Sequence, residues 1–136
     1  MAKNVLVDAG FLVALLSGRD EHHDWAKAQA ARRPPPWLTC ESALSEAFHL
    51  VGARGEPALA ALLRRRAVIV AFELEQHLNE VLTLLKKYAD LPMSLADACL
   101  VRLTETLPDA ILVTTDSDFR IYRRHSRQVV PVVLPS

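Results

Sequence analysis

Only two cysteines occur in the 136 residues, Cys40 and Cys99, with no CxxC pair and no histidine at zinc-like spacing. Such scarcity argues against a disulfide framework and a structural zinc site, and both residues read as reduced, buried thiols. Long apolar runs are missing too, since no stretch approaches the roughly 20 residues of a membrane span. The opening MAKNVLVDAG carries Asp8 where a cleavable leader would stay uncharged, so a cytoplasmic location is expected. An excess of charge is also absent. Sixteen basic residues balance sixteen acidic ones, which removes the overall electrostatic footprint of a generic nucleic-acid binder. No GxxxxGK[ST] loop, GxGxxG turn or Gly-x-Ser-x-Gly elbow is present, so the motifs of three competing chemistries are lacking.

What remains is a globular balance of 51% apolar and 24% charged residues, without repeats, low-complexity tracts or linkers. One domain over 1–136 is expected, long enough to bury well over half of its unfolded surface. Residues 4–7 read as a buried strand, and Phe11 to Leu16 as a helix. A second helix starts near Asp20 and stops at Pro34, Pro35 and Pro36, followed by a short WLT strand. Helices over Glu41 to about Gly52 and Pro57 to Arg66 precede AVIVAF at 67–72, whose β-branched run predicts a strand covered on both faces. After an amphipathic helix at 76–88, Ser94 caps a helix that carries Asp97 in its first turn. AILVT at 110–114 predicts a strand, DFRIYRR a short helix, and VVPVVL at 129–134 a last strand whose Pro131 suits an edge. Strands alternating with helices predict an α/β fold, a mainly parallel sheet with helices on both faces.

Carboxylates recur at the ends of apolar runs: Asp8 in VLVDAG, Glu46 in ESALSEAF, Asp97 in SLADACLV, and Asp116 and Asp118 in ILVTTDSDF. Ligands of open α/β sheets bind outside the carboxyl ends of the strands, where Asp8 and Asp116 would lie. Carboxylates gathered there repel one another by roughly 4 kcal/mol per pair at about 4 Å and an effective dielectric near 20. A hard divalent cation reverses that balance, making Mg2+ or Mn2+ the natural partner and phosphodiester hydrolysis the chemistry that fits. Taken singly, Asp8 also reads as a helix cap, Asp97 as an acid favoured by a helix dipole and Asp116 as an Asx turn. Glu46, set among Ala43, Leu44, Ala47 and Phe48, is harder to explain structurally.

The order VLVDAGFLVALL, TCESALSEAFHL, SLADACLVRL, LVTTDSDF, with the spacing from Leu38 and Thr39 to Glu46, resembles the PIN-domain ribonucleases, in particular the VapC-type toxins of bacterial toxin–antitoxin pairs. The resemblance spans nearly the whole chain. It implies a PIN-like three-layer α/β/α sandwich and a metal-binding quartet of Asp8, Glu46, Asp97 and Asp116, with Asp118 a candidate fifth ligand and Thr114 orienting the site. It further implies an RNA substrate, a VapB-like antitoxin that lays a C-terminal segment over the cleft, and a homodimer. Two departures, Gly10 where many members carry a hydroxyl and Ser94 where many carry another Asp, leave the number of bound ions open.

Two arginine clusters read either as solvated helix ends or as phosphate-contacting surfaces: Arg64 to Arg66, and Arg120, Arg123 and Arg124 with His125 and Arg127. His22 and His23 are adjacent and share no helix face, and His49 and His77 read as structural or exposed. The aromatics read as core, with Trp25 the exception left open. Phe11 to Leu16 together with the 56–66 helix could form a groove for a partner helix. Two other functions share the acidic residues: a metal-dependent phosphatase of small phosphate esters, which would need a second acid near Asp8, and a catalytically silent RNA- or partner-binding module.

Overall fold

The computed structural model describes residues 3–136. Met1 and Ala2, part of the N-terminal stretch taken above as no leader, lie outside the described residues. Five strands build the central sheet: β1 (Asn4–Val7), β2 (Trp37–Thr39), β3 (Val68–Val70), β4 (Ala110–Val113) and β7 (Val132–Val133). Their order is β3-β2-β1-β4-β7, every pair parallel. The strand order therefore reverses between β1 and β4, which opens a crevice beyond their carboxyl ends.

Successive residues of a strand point to opposite faces, and the two cores follow from that alternation. Val5, Val7 and Val113 face α1 (Ala9–Leu16), α2 (His23–Arg32) and α3 (Glu41–Arg64), where they pack with Phe11, Leu12, Leu59 and Leu62. Leu6 and Leu112 face α4 (Leu78–Lys87) and α5 (Leu95–Thr106), and pack with Leu100, Leu103, Phe119 and Tyr122. Each fully buried Leu, Val or Phe contributes roughly 1.5–3 kcal/mol of transfer free energy. The architecture is a three-layer α/β/α sandwich with a parallel central sheet, as the sequence leads one to expect. Cys40 and Cys99 are both free and buried. Among the described residues no helix is long and apolar enough to cross a membrane.

Local departures have local causes. The two helices expected over 41–66 run on as α3, kinked at Gly52, whose φ of 65° only a glycine adopts readily. Pro57 lies inside the helical segment five residues after that kink. α2 starts at His23 rather than near Asp20, because the Asp20 carboxylate accepts the His22 N–H at 2.8 Å and closes a turn instead. The strand at 67–72 is shorter and lies at the sheet edge, so it is not covered on both faces: Val70 is 40% exposed.

At the C-terminus the expected helix over DFRIYRR is a single 3-10 turn, Ser117–Arg120. The chain then enters a hairpin of β5 (Arg123–Arg124) and β6 (Gln128–Val129), turned by His125 and Ser126 at positive φ of 48° and 68°. Pro131 interrupts the run at 129–134, so Val129 joins the hairpin while Val132 and Val133 form the edge strand beside β4. The proline lacks an N–H, yet its carbonyl still accepts the Leu112 N–H at 2.9 Å.

Candidate metal centre

Asp8 and Asp116 reach the crevice by simple register. Val7 and Val113 are paired across β1 and β4, so Asp8 and Thr114 emerge side by side. The Thr114 hydroxyl donates to Asp8 Oδ2 and accepts the Asp116 N–H at 2.9 Å, a relay that ties the two strand ends together. Asp8 Oδ1 accepts the Phe11 N–H at 2.9 Å and so caps α1. Asp116 Oδ1 accepts the Asp118 N–H at 2.9 Å, an Asx turn. From β2, Thr39 donates to the Val7 carbonyl at 2.8 Å and fixes the strand end that carries Asp8.

Asp97 comes from the first turn of α5, in a capping box with Ser94. Its Oδ2 accepts the Ser94 N–H at 3.2 Å and the Tyr122 hydroxyl at 3.3 Å. Glu46 comes from α3, on the exposed side of the helix. Asp8, Glu46, Asp97 and Asp116 line one cleft of about 220 Å³, with Gly10 and Thr115 in the same wall. The capping and turn roles considered for Asp8, Asp97 and Asp116 are thus real, and they orient the carboxylates towards a shared space.

Two of these acids carry the electrostatic imprint of the cleft. Burial pushes Asp8 up from its ordinary 3.8 to about 6; the Thr114 and Phe11 hydrogen bonds oppose that, and the nearby Asp116 and Asp97 carboxylates add to it. Asp97 is raised as well, first by burial and then by Asp116 against the hydrogen bonds from Ser94 and Tyr122. The Tyr122 hydroxyl is pushed up by burial and by the neighbouring carboxylates, so it stays a donor.

The donor set consists of carboxylate oxygens alone, the chemistry that hard divalent cations prefer. Among the described residues no three His, Cys, Asp or Glu side chains form a ready-made ligand cage. Asp8, Glu46, Asp97 and Asp116 line the cleft without converging on one point, so the fit to a cation rests on their oxygen chemistry. The residues present therefore fit such an ion.

Other candidates fall outside the cleft. Asp118 does not line it and meets Asp116 through its backbone N–H. No histidine lines it: His23 Nδ1 bonds the Ala14 carbonyl at 2.8 Å, and His77 stacks on Phe72 and accepts Arg102 Nε at 3.2 Å. Arg64 to Arg66 end α3 as exposed residues just before β3, at the amino end of the sheet and away from the acids. Arg123 folds onto the carbonyls of Arg120, Ile121 and Tyr122, and Arg124 donates to the Thr104 carbonyl at 2.8 Å. Arg120 is exposed one turn beyond Asp116. Phe11 and Trp37 pack edge to face in the core, with the partly buried Trp25 beside them. The groove expected from Phe11 to Leu16 and 56–66 forms instead from Val13 and Leu16 with Leu50, Val51 and Arg54, because Phe11, Leu12 and Leu59 are core.

Sequence reasoning missed Tyr122 and Thr115. The only signal for Tyr122 was its spacing of three from Phe119, which reads as ordinary core. The phosphatase alternative needs a second acid close to Asp8, and position 10 is a glycine, where an added Cβ would lie 2.5 Å from Thr115 Oγ1.

Residues 5–124 match the family model described as PIN domain. The chain belongs to the PIN-domain family. This PIN domain is similar in fold to the crystal structure of Mycobacterium tuberculosis VapC20, described as a sarcin–ricin loop cleaving toxin. The TM-score is 0.74 over 85% of this chain and 92% of that one, at 23% sequence identity, a likeness that speaks to the fold. No curated protein sequence matches the chain.

Proposed function

We propose that this PIN domain is a Mg2+- or Mn2+-dependent endoribonuclease and the toxin of a VapBC-type pair. One observation carries the reading: four elements deliver Asp8, Glu46, Asp97 and Asp116 to a single cleft at the carboxyl end of a parallel sheet. The PIN family and the fold shared with a toxin that cleaves the sarcin–ricin loop support RNA as substrate.

Asp8, Asp97 and Asp116, with Glu46, would hold the ion. When bound, it supplies charge neutralisation and Lewis acidity for phosphodiester hydrolysis. The Thr114 relay keeps Asp8 and Asp116 in register, and the Ser94 and Tyr122 donors hold one oxygen of Asp97 so that the other is left for the cleft. Asp118 serves through its N–H to Asp116 rather than as a fifth ligand. Of Arg120, Arg123 and Arg124, Arg120 is the one best placed to meet an RNA phosphate, because Arg123 and Arg124 bind backbone carbonyls.

A VapB-like antitoxin is the partner, and a homodimer the assembly. The hollow of about 320 Å³ formed by Val13, Leu16, Leu50 and Val51 shares Leu50 with the acidic cleft, which gives a covering segment an apolar foothold beside the site. Calorimetric titration with Mn2+ tests the metal, and induced expression in a bacterial host tests the toxin. Micromolar to millimolar binding, and growth arrest that Asp97→Asn abolishes, are expected. Undetectable Mn2+ binding by folded protein would retire the nuclease, and normal growth with soluble protein present would retire the toxin.

A further inference from the structure

Among the side chains in the wall of the acidic cleft, only Thr115 can donate a hydrogen bond. Ionised Asp8, Glu46, Asp97 and Asp116 only accept, and the rest of the lining is Gly, Ala and Leu. The neighbouring Thr114 is already committed to Asp8. Thr115 is half-buried and takes no part in the relay of hydrogen bonds that links Asp8, Thr114 and Asp116.

Gly10 determines where that hydroxyl sits. A Cβ at position 10 would lie 2.5 Å from Thr115 Oγ1 and 3.6 and 3.8 Å from the two Asp8 carboxylate oxygens. The Thr115 hydroxyl thus occupies the space of a missing side chain, in the cleft wall that it shares with the buried Asp8. Threonine is stiff at χ1, so a methyl group at position 10 forces the hydroxyl into another rotamer and out of that place. A phosphodiester entering the cleft brings acceptor oxygens into a wall made of acceptors. Any non-bridging oxygen that does not reach a cation needs a donor, and the wall provides one.

We propose that Thr115 contacts the substrate, its hydroxyl donating to a non-bridging phosphate oxygen of the RNA, and that Gly10 keeps this hydroxyl in position. The inference rests on the nuclease reading and adds to it a residue that recognises the phosphate. No bond is made or broken by Thr115, which binds and orients.

The test compares wild type, Thr115→Val, Thr115→Ser, Gly10→Ala and the Gly10→Ala/Thr115→Val double variant. Three quantities are read: Mn2+ affinity without RNA, binding of labelled RNA by anisotropy with Ca2+ in place of Mn2+, and kcat and KM for cleavage. Loss of a hydrogen bond to a charged oxygen should weaken RNA binding and raise KM roughly tenfold in Thr115→Val. Mn2+ affinity should stay unchanged, Thr115→Ser should retain binding, and Gly10→Ala should match Thr115→Val. The double variant should be no weaker than either single one, because both remove the same contact. Thr115→Val with wild-type RNA affinity and KM, or a double variant whose loss is the sum of the two, overturns the contact while leaving the nuclease intact. A wild-type protein that neither binds nor cuts RNA overturns the nuclease reading and this contact with it.

Discussion

Tyr122, a fully buried residue, donates its hydroxyl to Asp97 Oδ2 at 3.3 Å. Its ring is fixed edge to face by Phe119 and Tyr88, and the Tyr88 hydroxyl accepts the Arg123 N–H at 2.9 Å. The C-terminal segment is thereby fastened to an acid that lies some twenty-five residues earlier in the chain.

Tyr122→Phe keeps the ring and removes the donor. Asp97 then loses one of the two hydrogen bonds on Oδ2, so Mn2+ affinity should fall several-fold while the protein stays folded. Calorimetry and a thermal melt check this together. Unchanged affinity would show that the Ser94 N–H alone orients Asp97.

Asp8 gives the metal-free protein a pH dependence of definite sign. Its carboxyl is pushed up by burial from 3.8 to about 6, so folding favours the protonated form. Stability from this group is full below about pH 4 and is lost as pH rises through about 6, a change of at most about 3 kcal/mol. Urea unfolding in EDTA across pH 4 to 7.5 should show the decline, Asp8→Asn should flatten it, and Mn2+ should restore stability at the upper end. A wild-type profile that runs parallel to that of Asp8→Asn over this interval would contradict the assignment.

Ser94 caps α5 and holds Asp97 at once. Ser94→Ala should lower stability by about 1 kcal/mol, the usual worth of an N-cap, and should also weaken Mn2+ binding. Loss of stability with metal affinity intact would separate the cap from the site.

The alternation of strands and helices was legible from hydrophobic period and the acids from their recurrence beside apolar runs, whereas the three-layer sandwich and the grouping of four acids into one site came from the resemblance to the PIN-domain ribonucleases. The parallel register of β1 and β4 brings Asp8 and Asp116 together, and α3 and α5 add Glu46 and Asp97 to the same cleft. The C-terminal hairpin was not legible. Arg123 and Arg124 lie in a segment whose composition suits a helix, and their strand state depends on a turn at His125 and Ser126 and on Pro131. The reach of AVIVAF was overestimated for a related reason, since a β-branched run does not say whether its strand is central or at an edge. Tyr122 and Thr115 act on partners distant in sequence, Asp97 and Gly10, and no local pattern encodes such a pair.

The measurement that bears most directly on the metal-dependent nuclease is cleavage of a mixed tRNA and rRNA pool by purified, antitoxin-free protein, with Mn2+ or Mg2+ against EDTA and Asp97→Asn as control. Discrete products that need the metal and vanish in the mutant are expected. Intact RNA in every lane, or identical cleavage by folded Asp97→Asn, would contradict the assignment of the acidic cleft as the catalytic centre.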